Sequence, residues 1–178
     1  WQREGIPTYG LDGGVFSAGS SLNWLRDKAN LIENAEEIDR LCLTVQDSGG
    51  VIWIPAQVGL GVPYWDRKIR GAWLGVDLST ERAHLVRAML EGIALRVAQI
   101  INVMNKDSNT TISSLRVDGG LTQNETMMQL QADMLGFPVE VLENQESTAK
   151  GICSLAARYA GIWRSDEQII KQVKVNQI

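Results

Sequence analysis

"LRVDGGLTQNETMM" (Leu115–Met128) passes from a short apolar run through an acid and two glycines into a helix-forming sequence. "SSLRVDGG" reads as a short buried strand. Thr122, with Glu125 three residues later, has the capping-box pattern that opens a helix, "QNETMMQLQADML", closed by Gly136 and then Pro138. Strand, glycine turn and helix make the unit of open α/β sheets. Such sheets bind ligands beyond the carboxyl ends of their strands, where helix N-termini turn unpaired amides toward the crevice. Gly119 and Gly120 occupy that place. Lacking a Cβ, they let a planar or anionic ligand approach the backbone, and Asn124 in the first helical turn offers a donor and an acceptor to a base or a sugar. With Thr122 and Glu125 as the cap, little structural duty falls to Asn124. From this motif alone the stretch reads either as a nucleotide cradle or as a plain strand-to-helix turn.

Outward from it, the elements alternate. Toward the N-terminus, "TYGLDGGVFS" is extended and glycine-broken, and "SAGSSLNWLRDKANLI" places Leu22, Leu25, Ala29 and Ile32 at helical spacing. "NAEEIDRLCLTVQ" carries Ile38, Leu41 and Val45 on one face behind an acidic first turn, a favourable charge at a helix start. "GGVIWIPAQVG" is a β-branched run, and a turn-rich segment then leads to a strand at "GAWLGV". From a cap at Ser79, Val86, Met89, Leu90, Ile93, Val97, Ile100, Ile101 and Met104 keep a helical period over about seven turns. After the central unit come a strand, "PVEVLE", a helix rich in small residues, "STAKGICSLAARYAGIW", expected to pack closely on its neighbours, and a short helix, "SDEQIIKQV". Strands alternating with helices predict an α/β layered domain around a largely parallel sheet.

The 178 residues, 44% apolar and 21% charged, suffice for one domain with a sizeable core. A formal charge of −4 with no basic cluster supports neither a nucleic-acid footprint nor an anionic-membrane patch. No apolar run reaches the roughly 18 residues a membrane span needs, and Cys42 and Cys153 lie far from each other in sequence. These features predict a cytoplasmic protein whose two cysteines are buried thiols in a reducing compartment. The start at Trp1 reads as the middle of something longer, so a fragment is expected.

Chemistry-bearing residues are few. "GSSLN" repeats the pattern of "GLTQN", setting Asn23 one helical turn after Gly19, as Asn124 follows Gly120. A glycine early in a helix costs about 1 kcal/mol against alanine, so Gly19 marks either close helix packing or close ligand approach. Asp12 and Asp118 read as capping or solvated carboxylates rather than as an acid/base pair. His84 reads as solvated on the polar side of the long helix, and Trp65 as a loop anchor. A dinucleotide oxidoreductase would need a Gly-x-Gly-x-x-Gly turn, which "DGGLTQN" lacks.

Four runs, "GVFSAGSSLNWLRDKANLI", "GVIWIPAQVGLGVPYWDRKIRGAWLGV", "LRVDGGLTQNETMMQLQADMLGFPVEV" and "ESTAKGICSLAARYAGIW", resemble in order and spacing the C-terminal domain of FGGY-family carbohydrate kinases, and most nearly its glycerol kinase branch. The resemblance covers nearly the whole chain. Its most specific parts are the Gly-Leu-Gly-x-Pro-Tyr-Trp-Asp run with Arg70 and Gly71, and the Arg-Val-Asp-Gly-Gly turn followed by Asn124. It implies an actin-like ATPase fold of two ribonuclease-H-like domains, with ATP and a sugar or polyol in the cleft between them and Mg²⁺ bridging the phosphates. This chain would be residues 1–178 of the second domain, incomplete at its first strands. The nucleotide contacts implied fall on Gly19, Gly120 and Asn124, and on Asn23, where the family carries a glutamine one methylene longer; the reading of the turn adds Gly119.

The family's catalytic aspartate, substrate-binding arginine and tyrosine, and phosphate loop belong to segments this chain does not include. The resemblance therefore implies the ATP-binding half of a kinase acting on a polyol or sugar hydroxyl, inactive alone, with the N-terminal kinase domain as its partner. Missing strands would leave sheet edge and core exposed and favour a homo-oligomer. The alternatives are a non-catalytic binding or regulatory module on the same fold, or a kinase for another substrate such as a pentulose.

Overall fold

The computed structural model describes residues 2–3, 5–143 and 146–178. In chain order the elements are β1 (Gln2–Arg3), β2 (Ile6–Pro7), α1 (Gly19–Asp27), α2 (Glu36–Cys42), β3 (Ile52–Ile54), β4 (Ala72–Leu74) and α3 (Arg82–Ser108). They continue with β5 (Leu115–Val117), a 3₁₀ turn (Gly120–Gln123), α4 (Glu125–Leu135), β6 (Val139–Leu142), α5 (Ser147–Tyr159), α6 (Asp166–Ile170) and β7 (Val175–Gln177).

The helices fall at the expected places, although α1 ends at Asp27, short of Ala29 and Ile32, and α2 ends at Cys42, short of Val45; the sheet does not follow expectation. In place of one largely parallel sheet there are three small ones: β1 with β2, β3 with β4, and β5-β6-β7. Only β5 and β6 run parallel, with Val117 opposite Val141, whereas β7 joins β6 antiparallel. Residues 8–17 form no strand before α1, and β7, which the sequence did not suggest, closes the sheet because "KVNQI" alternates too briefly to stand out.

The organising element is α3. Val86, Met89, Leu90, Ile93 and Ala94 are at most 1% exposed, and they are enclosed by Ile38, Leu41 and Cys42 of α2, Trp53 of β3, and Met127, Met128 and Leu130 of α4. A helix apolar on more than one face has to be wrapped on several sides. Gly92 permits the closest contact, since a Cβ there would lie 2.6 Å from the carbonyl oxygen of Trp53. The helix begins two residues later than the expected cap at Ser79, which instead donates from its N–H and hydroxyl to Asp77 Oδ1. Glu81 is the N-cap, and its N–H donates to His84 Nδ1 at 3.0 Å. His84 therefore caps the helix rather than merely facing solvent.

Three further expectations are corrected. Helix α5 buries none of its residues, leaving Ile152, Leu155 and Tyr159 at least 64% exposed, so its small residues do not pack it closely within the described chain. Cys153 on that helix is consequently exposed, whereas Cys42 is buried. Trp65 is 70% exposed and does not bury its ring as an anchor; the loop is held instead through Tyr64, whose hydroxyl accepts from Gln99 and whose ring lies 5.4 Å beneath the Arg96 guanidinium. Arg96 is 5% exposed and also donates to the Val62 carbonyl, and burial lowers its pKa below the ordinary guanidinium value.

Candidate nucleotide site

The site is built at the end of β5. Gly119 has φ +88°, a backbone conformation that side-chain-bearing residues adopt only with strain, and it turns the chain out of the strand. The 3₁₀ turn that follows is fastened to Gly119, whose carbonyl accepts from the Thr122 N–H at 3.1 Å and from the Thr122 hydroxyl at 2.7 Å. Leu121 packs against the core, which fixes the turn from below. Thr122 is thus occupied by the turn, and the Thr122–Glu125 capping box does not form.

Asn124 is the N-cap of α4. Its Oδ1 accepts from the Met127 N–H at 2.7 Å, and the residue is only 8% exposed. This corrects the expectation that Asn124 has little structural work: one half of its amide starts the helix. The other half is unsatisfied, because Nδ2 is buried without a hydrogen-bond partner. Buried donors are rarely left unpaired, which singles out Nδ2 among the polar atoms of this turn. A second clasp comes from α2, where Asp39 Oδ1 accepts from the Thr126 N–H at 2.9 Å. No local pattern points to Asp39, which lies 87 positions away in the chain. Asn124 as the N-cap itself was legible, since an asparagine directly before an acidic first helical residue is a preferred start.

Gly120 and Gly19 contrast with Gly119. Neither adopts the left-handed conformation, and a Cβ on either would meet nothing within 4 Å. Neither backbone geometry nor internal packing asks for glycine there, so close helix packing is not the reason for Gly19. Gly19 is the first residue of α1, whose N-cap, Ala18, brings no side-chain oxygen to the helix start. Asn23, one turn on, is exposed and makes no side-chain hydrogen bond among the described residues. Leu25 of α1 and Leu121 of the 3₁₀ turn belong to the same hydrophobic core. Asp118 accepts from the Ser147 hydroxyl at the start of α5, and Asp12 is exposed in the segment before α1. Among the described residues no group of three His, Cys, Asp or Glu side chains could hold a metal ion, and no helix is long and apolar enough to cross a membrane.

Comparison with known proteins shows the family. The model of the FGGY family of carbohydrate kinases, C-terminal domain, matches residues 3–160. The chain is 46% identical over 169 residues to a glycerol kinase of Dechloromonas aromatica and 45% identical over 172 residues to one of Deinococcus radiodurans, covering 95% and 97% of this chain. It spans about a third of the length of these relatives, 34% in both cases. Among solved structures, Plasmodium falciparum glycerol kinase with ADP superposes with a TM-score of 0.78 at 35% identity, covering 86% of this chain and 30% of that one. Xylulose kinase from Rhodospirillum rubrum gives 0.73 at 28% identity, covering 90% and 33%. The fold class is that α/β, ribonuclease-H-like one, and the chain belongs to the FGGY family of carbohydrate kinases, whose C-terminal domain it represents.

Proposed function

We propose that this chain is the ATP-binding part of a two-domain carbohydrate kinase that transfers the γ-phosphate of ATP to a hydroxyl of glycerol or a similar polyol or sugar. The observation that carries the reading is the pairing, on one turn, of an open Gly120 with the unsatisfied, buried Nδ2 of Asn124. A nucleotide fits this arrangement. Its flat or sugar face can lie on the backbone at Gly119 and Gly120, and one of its acceptors can take an N–H of the Asn124 side-chain amide once the turn admits it. We assign Gly19 and Asn23, at the start of α1, to the same nucleotide on the family resemblance. The relatives are glycerol kinases, and one of the similar structures holds ADP, which supports the same ligand class.

Phosphoryl transfer depends mostly on positioning and charge stabilisation, with Mg²⁺ neutralising the phosphates. The residues of this chain bind and orient. No residue here is assigned to Mg²⁺, which would be held by the phosphates and groups elsewhere, and the base that orients the attacking hydroxyl is assigned to the N-terminal domain of the whole protein. We further assign the protein to the cytoplasm, where the unpaired thiols Cys42 and Cys153 would stay reduced. The apolar residues exposed on α5 suit a homo-oligomeric contact.

The test is calorimetry of Mg-ATP and ADP with the 178-residue chain, alongside an assay of glycerol phosphorylation. Nucleotide binding without turnover is expected. Absence of any nucleotide binding would remove the assignment, and robust turnover would place the base inside this chain.

A further inference from the structure

The first four amides of a helix have no partner within it, and together with the helix dipole they make a seat for anions. In α4 that seat is already engaged from inside the chain. The Asn124 N–H donates to the Leu121 carbonyl at 3.2 Å, the Thr126 N–H to Asp39 Oδ1 at 2.9 Å, and the Met127 N–H to Asn124 Oδ1 at 2.7 Å. The acceptor at Thr126 is a carboxylate, brought from another helix.

Asp39 is held in place by α2. Ile38, Leu41 and Cys42, beside it on that helix, are buried in the core that also takes Met127 and Met128 of α4, so the carboxylate rides on a packed element. It is half-buried and makes no salt bridge among the described residues; the nearby cations Arg40 and Arg82 pair with Glu37 instead. Its charge is therefore balanced by the start of α4 and not by a side-chain cation. Glu125, the first residue of α4, adds an exposed carboxylate. A mechanical clasp between α2 and α4 would need only an acceptor, which an uncharged amide supplies equally well. A carboxylate adds a charge that repels other anions.

We propose that Asp39 sets the ligand specificity of the nucleotide turn: by filling the anion seat of α4 it keeps phosphate groups off the helix start and leaves the turn at Gly119 and Gly120 to the uncharged part of a nucleotide. Discrimination of this kind comes from a group placed against the wrong ligand as much as from groups placed for the right one. The open backbone at Gly120 lies on the same turn, so an unblocked helix start would compete for the phosphates, and a triphosphate seated there would bring the nucleotide in reversed. Asp39 acts by its charge and through the Thr126 amide, as a specificity residue and not a catalytic one. The identity of the ligand rests on the nucleotide assignment, whereas the exclusion of anions from this helix start does not.

The test is calorimetry of the 178-residue chain with tripolyphosphate and, separately, with adenosine, while the amide signals of Thr126 and Met127 are followed by NMR to locate binding. Asp39→Asn keeps an acceptor for the Thr126 N–H and removes only the charge, so the melting temperature should stay near that of the parent. Its tripolyphosphate affinity should exceed the parent's by about fivefold or more, with the Thr126 and Met127 signals shifting, and adenosine should show no such gain. Asp39→Ala, which frees the amide as well, should gain at least as much. Glu125→Gln removes the same charge from an exposed position and should gain less. A gain below about fivefold in both Asp39 variants, an equal gain in Glu125→Gln, or an equal gain for adenosine would overturn the proposal. Should the parent bind neither adenosine nor Mg-ATP, the nucleotide assignment would fall, and the tripolyphosphate comparison would still decide the role of Asp39.

Discussion

The Asn124 side chain accepts the Met127 N–H at 2.7 Å through Oδ1, and its Nδ2, on the same amide, is buried without a partner. The two roles can be separated by substitution. Asn124→Ala should lower stability by about 1 kcal/mol through loss of the cap and should also weaken ATP binding. Asn124→Asp keeps a good N-cap and adds a charge that suits a helix N-terminus, but it removes the donor. Stability near that of the parent, with ATP affinity reduced about tenfold, is expected from thermal melts and calorimetry. Unchanged affinity in both variants would mean that the turn is purely structural.

Adjacent glycines should respond in opposite ways. Gly119→Ala forces a Cβ onto a residue with φ +88°, so it should destabilise the fold by about 1 to 3 kcal/mol. Gly120→Ala meets open space and an ordinary backbone, and should leave the melting temperature nearly unchanged while weakening ATP binding. A large stability loss in Gly120→Ala with affinity intact would assign Gly120 to the turn alone.

Acid should loosen the packing of α2 before the rest of the fold. Glu37, 5% exposed, accepts from the Glu33 N–H at 2.7 Å and pairs with Arg82 at 3.0 Å, and these contacts hold its pKa below the ordinary glutamate value, the backbone hydrogen bond first. A depressed carboxylate contributes stability fully above its unfolded pKa of about 4.3, and the contribution is lost as pH falls from there through the folded value. Stability measured from pH 7 to pH 3 should therefore fall less steeply in Glu37→Gln than in the parent. Parallel profiles would show that Glu37 does not govern the acid response.

The two thiols should differ in reactivity. Burial pushes the Cys42 thiol up to about 12, so it stays protonated and shielded, whereas Cys153 is exposed on α5. A disulfide reagent should label one equivalent rapidly in the folded chain, and Cys153→Ser should abolish that fast phase. Rapid labelling of Cys42 would indicate that the core around α3 opens readily.

Local pattern determined much of this protein. The apolar period of α3, the acidic start of α2 and the Gly136 stop of α4 are properties of neighbouring residues and could be read without a fold, as could the strand–glycine–helix unit at Leu115–Met128. The order and spacing of the four family-like runs carried the kinase assignment. Tertiary structure decided what depends on contacts between distant segments. Sheet pairing is one such property, because strands of three or four residues carry too little alternation to specify their partners, and so one expected sheet became three. The clasp of Asp39 on Thr126, across 87 positions of sequence, is another. The division of the Asn124 amide is a third: sequence offers a donor and an acceptor together, and only the course of the turn determines that the acceptor starts the helix while the donor is left without a partner.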